Sequence, residues 1–171
     1  MSWPRLKKKI ESLFAASVRG RLAIHMTSYR GANAEAGRAW ITVDGKETQL
    51  TDFRNYYTYT RRALEIQREA APGSSYDGPS WDQAETEYGG EGSYFQWSVH
   101  WALTSYLQLS INAALDSPHV LHRAFALVDR RLGRRRFEAR LLDSDEHHLV
   151  IQLQALRAEA EGWRVPEPGA A

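Results

Sequence analysis

No cysteine occurs in this chain of 171 residues. That excludes disulfide staples, thiolate zinc sites and cysteine nucleophiles, and it fits a reducing, cytoplasmic setting. Lysine is scarce, four residues against eighteen arginines. Long apolar runs are missing too. Residues 92–115 carry no charged side chain, yet Gln96, Ser98, His100, Thr104, Ser105, Gln108, Ser110 and Asn112 place too many polar groups there for hydrocarbon. That stretch reads as a buried helix, not a membrane span. Lys7, Lys8 and Lys9 are followed by an amphipathic segment containing Glu11, without the continuous apolar core of a secretory signal.

Net charge is nearly absent, +1 at neutral pH, but its distribution is uneven. Residues 1–75 hold thirteen basic side chains against seven acidic, and residues 76–118 hold six acidic and no Lys or Arg. Positive charge returns in one block, Asp129 to Phe137, with five arginines in nine residues: Arg130, Arg131, Arg134, Arg135 and Arg136. Guanidinium groups packed this way make bidentate contacts with phosphate or carboxylate. A dedicated nucleic-acid module would carry an overall basic balance, so an internal salt-bridge network is the favoured reading. Its partners would be Asp129, Glu138 or the acidic stretch with Asp77, Asp82, Glu85, Glu87 and Glu91.

The hydrophobic pattern predicts an α+β fold. Ser2 and Pro4 open a helix with Leu6, Ile10, Leu13, Phe14 and Ser17 or Val18 recurring at helical spacing. The period then changes to two: Leu22, Ile24 and Met26, followed by Ala39, Ile41 and Val43, read as strands. Asp44-Gly45 is a hairpin turn into a third strand over 46–50. Thr51 or Asp52 caps a helix to about Ala70 with Phe53, Tyr56 or Tyr57, Thr60, Leu64 and Gln67 near one stripe. Residues 72–92 read as an acidic surface excursion with at most one short helix, 81–88, carrying Trp81 and Tyr88 as contact candidates. Beyond it a mainly helical half is expected. It comprises a central helix with Tyr94, Trp97 and Trp101 on one stripe and Leu103, Tyr106 and Leu107 on a second, a helix begun by Ser117-Pro118 that Gly133 ends or bends, and a last helix capped near Asp143 to Glu146 and closing at Gly162. One domain over 1–163 is expected, with a sheet lobe at 1–71, a helical lobe at 93–163 and a disordered tail at 164–171.

Catalytic motifs are missing. There is no G-x-S-x-G, P-loop, G-x-G-x-x-G or H-E-x-x-H pattern, and Gly89-Gly90-Glu91-Gly92 lacks the lysine and preceding strand of a phosphate loop. Asp82, Glu85 and Glu87 read as solvated charges. His119 and His122, three apart on one helical face, are weak metal candidates on which Asp116, His100, His147 and His148 could converge. No cofactor is called for.

Three segments carry a resemblance: Ser2-Trp3-Pro4-Arg5-Leu6-Lys7-Lys8, then Ile41-Thr42-Val43-Asp44-Gly45-Lys46, then Leu109 to Ser117 leading into Asp129-Arg130-Arg131-Leu132-Gly133-Arg134-Arg135. With these the chain resembles a small family of uncharacterised bacterial proteins, from residue 2 to about 160 with 72–92 excepted. The resemblance implies a bacterial cytoplasmic protein and supplies no activity, cofactor or catalytic residue. The expected function is a non-catalytic protein-interaction or regulatory domain that meets its partner with the arginine-bearing surface and the aromatic acidic stretch. Nucleic-acid or phosphate binding through Arg130 to Arg136 is the alternative. A histidine-based metalloenzyme is third.

Overall fold

A computed structural model describes residues 1–28, 37–52, 54–70 and 78–165. Helix α1 spans Trp3–Leu13 and is followed by a single 3-10 turn at Ala16–Val18. Strands β1 (Leu22–Ser28), β2 (Gly37–Val43) and β3 (Lys46–Gln49) form one antiparallel sheet in that order, with Ile24 opposite Ile41 and Val43 opposite Lys46. The β2–β3 turn is the expected one: Asp44 and Gly45 both have positive φ, 50° and 76°, the left-handed pair a tight hairpin requires. Arg21 holds it with two bonds to the Asp44 carboxylate, 2.8 and 2.7 Å.

The outer edge of β1 is blunted by α1. Lys7 Nζ donates to the Ile24 carbonyl at 2.7 Å, and the Ile24 N–H donates to Glu11 Oε1 at 3.1 Å. Two side chains one turn apart thus occupy the groups with which an exposed edge would recruit another strand.

Helix α2 (Arg54–Ala70) starts after Asp52, whose carboxylate accepts the Arg54 N–H at 2.8 Å. Its buried stripe is Tyr59, Ala63, Ile66 and Gln67; of the expected stripe Gln67 is buried, while Tyr56, Thr60 and Leu64 are only half-buried. The run Tyr-Tyr-Thr-Tyr offers an aromatic to more than one face of the helix, and tertiary packing selects Tyr59. Tyr57 is left 58% exposed. Phe53 lies outside the described residues, as do Pro72, Gly73, Tyr76, Asp77 and residues 166–171 of the expected tail.

The largest departure is the acidic stretch. Residues Gly78–Glu91 form a 14-residue helix, α3, where a loop with a short helix was expected. Its own sequence has few apolar residues, and α2 supplies what is missing. Arg62 grips Glu87 with bonds of 2.8 and 3.2 Å, Tyr59 lies 4.8 Å from Tyr88 ring to ring, and Ala84 packs with Ala63 and Ile66. Packing thus stabilises a helix whose propensity is weak.

Helix α4 (Gln96–Tyr106) reverses part of the expected burial. Its inward face is Val99, Ala102, Leu103 and Tyr106 together with Gln96 and Ser98, while Trp97 and Trp101 are 40% and 42% exposed. Ser98 goes inside because its hydroxyl closes the first turn, donating to the Phe95 carbonyl at 2.9 Å and accepting the Phe95 N–H at 3.0 Å. Next come α5 (Ile111–Leu115), α6 (Val120–Val128), α7 (Arg134–Glu138) and α8 (His148–Glu161). One apolar cluster joins Leu6, Ile10, Ile24, Ile41, Leu103, Phe125, Phe137 and Leu153. No helix of the described residues is long and apolar enough to cross a membrane.

Candidate functional site

The arginine block is not one continuous helix. Helix α6 ends at Val128, Asp129 is its carboxy-terminal cap, and Gly133 caps the start of α7. Asp129 is 1% exposed and anchors the segment. Its carboxylate accepts the Tyr106 hydroxyl at 2.6 Å, the Arg131 backbone N–H at 2.8 Å and Arg131 Nη2 at 2.7 Å. Arg131 also reaches the Leu109 carbonyl, Arg136 bonds Asn112 Oδ1 and the Arg131 carbonyl, Arg140 bonds Asp116 and the Leu115 carbonyl, and Arg134 pairs with Glu138. The segment around Leu109 to Asp116 is thereby latched to the arginine segment. None of these bonds goes to the described acidic residues 78–91. Arg130 and Arg135 are exposed and have no side-chain partner among the described residues.

The histidines do not assemble as a metal constellation. Asp116 is taken by Arg140, and His100 Nε2 meets the Met1 carbonyl at 2.9 Å. His147 caps α8, with Nδ1 accepting the Leu149 N–H at 3.2 Å, and stacks near His148. The expected cap at Asp143 to Glu146 moves inward accordingly. No group of three or more metal-ligating side chains converges among the described residues.

His119 and His122 instead meet a carboxyl group. His119 is the amino-terminal cap of α6, a place expected for Ser117, and its Nδ1 accepts the Leu121 N–H at 3.3 Å. Nε2 therefore carries the proton and faces Glu85 Oε1 at 3.4 Å. His122 Nε2 lies 2.9 Å from the Ala102 carbonyl, which can only accept, so its proton is also on Nε2, and Nδ1 takes the Ser117 hydroxyl at 2.9 Å. The two rings stack at 4.6 Å.

Burial pushes both histidines down to about 4. The positive charge of Arg123 adds to this at His119, and the neighbouring His119 adds to it at His122. Glu85 moves the other way. Burial pushes it up to about 8, Asp82 adds to the rise, and the Tyr59 hydroxyl draws it part of the way back. At neutral pH the trio is two neutral imidazoles and a protonated acid. They line an open cleft of about 300 Å³ with Asp82, Trp101, Ser105 and Ser117.

The sequence reading missed Glu85, whose side chain is only 15% exposed. Trp81, Ala84, Glu85 and Tyr88 repeat at helical spacing, a stripe that identifies Glu85 as inward-facing once α3 is recognised. Trp81 and Tyr88 are partly buried along it. Trp81 lies against Tyr56, Tyr59, Phe95 and Trp101, and Tyr88 against Tyr59.

Gly89 has a reason in this geometry: a Cβ there would overlap the His119 ring, whereas a Cβ on Gly90 would meet only the Pro118 carbonyl at 3.4 Å. Both lie in α3, where alanine is preferred to glycine by about 1 kcal/mol. Gly90→Ala is therefore expected to be neutral or to stabilise by up to ~1 kcal/mol. Gly89→Ala is expected to destabilise by about 1–3 kcal/mol. Urea unfolding of the two variants checks the difference in sign.

An α+β domain with a hairpin sheet, an arginine latch and a buried acid–histidine cleft is what these residues build. The chain belongs to the SF0329 protein family, which it matches over residues 2–158. No curated protein and no solved structure matches it.

Proposed function

We propose that this is a non-catalytic interaction domain that docks a protein partner on the aromatic face of α4 and α2. One observation carries the reading: Trp97 and Trp101 stand one turn apart on α4, 40% and 42% exposed. Tyr57, 58% exposed, is linked to Trp101 beneath the surface through half-buried Tyr56 and buried Phe95, by ring contacts from Tyr57 to Tyr56 (5.5 Å), Tyr56 to Phe95 (5.5 Å) and Phe95 to Trp101 (5.9 Å). Trp and Tyr are enriched among the residues that dominate the energetics of protein interfaces. The neighbouring helix α3 presents Asp82 and Glu91 to solvent, and the chain has no Lys or Arg between 76 and 118. A partner with a basic contact surface complements it. The phosphate reading has less support, because Arg131, Arg134 and Arg136 already hold internal acceptors.

The test is quantitative co-purification from the native host with the wild-type chain and with a Trp97→Ala/Trp101→Ala variant. Both side chains are substantially exposed, so the variant is expected to keep its fold, as circular dichroism would verify. A partner enriched by the wild type and depleted at least about ten-fold by the variant is expected, given typical aromatic contributions at interfaces. Recovery that is the same for both proteins would refute the docking face.

A further inference from the structure

We propose that the cleft between α3, α4 and α6 seats the guanidinium group of an arginine side chain from the docked partner, with Glu85 as its buried anchor and Trp101 as its wall. This inference rests on the docking reading above.

The argument starts from charge pairing. Asp129, Glu146 and Glu87 each hold an arginine of this chain: Arg131, Arg123 and Arg62. Glu85 does not. Its Oε1 meets the His119 imidazole at 3.4 Å, the Tyr59 hydroxyl is close enough to favour its charged form, and Oε2 is buried without a hydrogen-bond partner among the described residues. Arg123, the cation nearest along α6, is fully engaged. It bonds both Glu146 oxygens at 3.0 and 2.8 Å and the Ser117 and Pro118 carbonyls at 2.8 and 2.7 Å. Among the described residues no Lys or Arg is paired with Glu85, so a cation that ionises it would be one entering the cleft.

The cleft suits a planar cation. Its volume of about 300 Å³ is at the small end for ligand sites. Trp101 supplies a partly exposed ring beside it for stacking or cation–π contact. Asp82 adds an exposed carboxylate to the lining, and the Ser105 and Ser117 hydroxyls add acceptors. Guanidinium matches this set better than ammonium, because its fork pairs with carboxylate while its face stacks on an indole.

The groups facing Glu85 are compatible with an entering cation. They are Asp82 on α3, Tyr59 on α2, Tyr94 before α4, and His119 and His122 at the start of α6, with Arg123 acting on His119 behind them. Both histidines are neutral, and Arg123 is balanced by Glu146. A guanidinium that bonds Glu85 favours its ionised form, so seating it releases the carboxyl proton to solvent and leaves a neutral pair in the cleft.

The probe is N-acetyl-arginine amide, with N-acetyl-citrulline amide as its neutral isostere, titrated into the full chain at pH 7. Binding is followed at the Trp101 indole by NMR, and proton release by calorimetry in two buffers of different ionisation enthalpy. Saturable binding with release of about one proton is expected, and at least about ten-fold weaker binding of the citrulline probe. Glu85→Gln, close in shape, is expected to weaken arginine binding by a similar factor and abolish proton release. Equal binding of the two probes, no saturable response, or binding indifferent to Glu85→Gln would overturn the inference. Failure here with Trp-dependent partner recovery intact removes only the arginine seat. Probe binding with Trp-independent recovery removes the docking face and assigns the cleft to a free guanidinium compound.

Discussion

Arg131→Ala is expected to lower folding stability by about 3–5 kcal/mol, and Asp129→Ala by roughly 2–3 kcal/mol. The asymmetry follows from who can reach water. The Asp129 side chain is 1% exposed and that of Arg131 is 33% exposed. Without Arg131 the carboxylate stays buried with only the Tyr106 hydroxyl and a backbone N–H as donors, and a buried charge that has lost its partner is among the most destabilising defects. Without Asp129 the guanidinium can turn to solvent while keeping the Leu109 carbonyl, and the main cost is the stranded Tyr106 hydroxyl. Tyr106→Phe should cost about 1 kcal/mol by itself. Combined with Asp129→Ala it should cost less than the sum, since the second change removes a group the first had orphaned. Urea unfolding of the variants measures all of this. Equal, small losses for Arg131→Ala and Asp129→Ala would mean that the latch is open in solution.

Stability should peak near pH 6.5 and fall on both sides. His119 and His122 are held at about 4 in the folded chain against an ordinary 6.5. Between those values the unfolded chain binds more protons, and stability declines as pH falls, by about 1.4 kcal/mol per pH unit for each histidine. Glu85 is held at about 8 against an ordinary 4.5. Between those values the folded chain binds more protons, so stability declines as pH rises, at about the same rate for one group. Below 6.5 the two histidines outweigh the one acid, and above it Glu85 acts alone. His25 and His147, both lowered mainly by burial, add to the acid side. Glu146 and Glu87, lowered by the bonds from Arg123 and Arg62, contribute stability that is lost only as pH falls below the ordinary carboxylate range. Urea midpoints from pH 5 to 9 trace the curve. Glu85→Gln should flatten the limb between 6.5 and 8, and a wild-type limb already flat there would show Glu85 ionised in the folded protein.

Both results bear on function. A latch that spends most of its arginines on internal acceptors leaves little of the block for an external anion. Glu85, pushed up by burial and with no Lys or Arg partner among the described residues, makes the opposite case for the cleft, where an entering cation would pair with it.

Local chemistry made several elements legible. Alternating Leu22, Ile24, Ala39 and Ile41 with Asp44-Gly45 between strands leave few alternatives to a hairpin meander, because period-two burial and a two-residue positive-φ turn are set by residues adjacent in sequence. The stripe of α1 and the end of α8 at Gly162 (φ 65°) were read the same way. Helix α3 was not, since its stabilising contacts with Arg62, Ala63 and Tyr59 come from residues some twenty-five positions earlier.

The sequence by itself determined the α+β class, the hairpin and the separation of acidic from basic segments, all of which depend on near neighbours and composition. Only the tertiary structure decided that Trp97 and Trp101 face outward, that Asp129 organises the arginines, and that Glu85 is buried beside His119 and His122. Burial and charge pairing are properties of distant segments brought together, and no local pattern fixes which carboxylate receives an arginine and which is left without one.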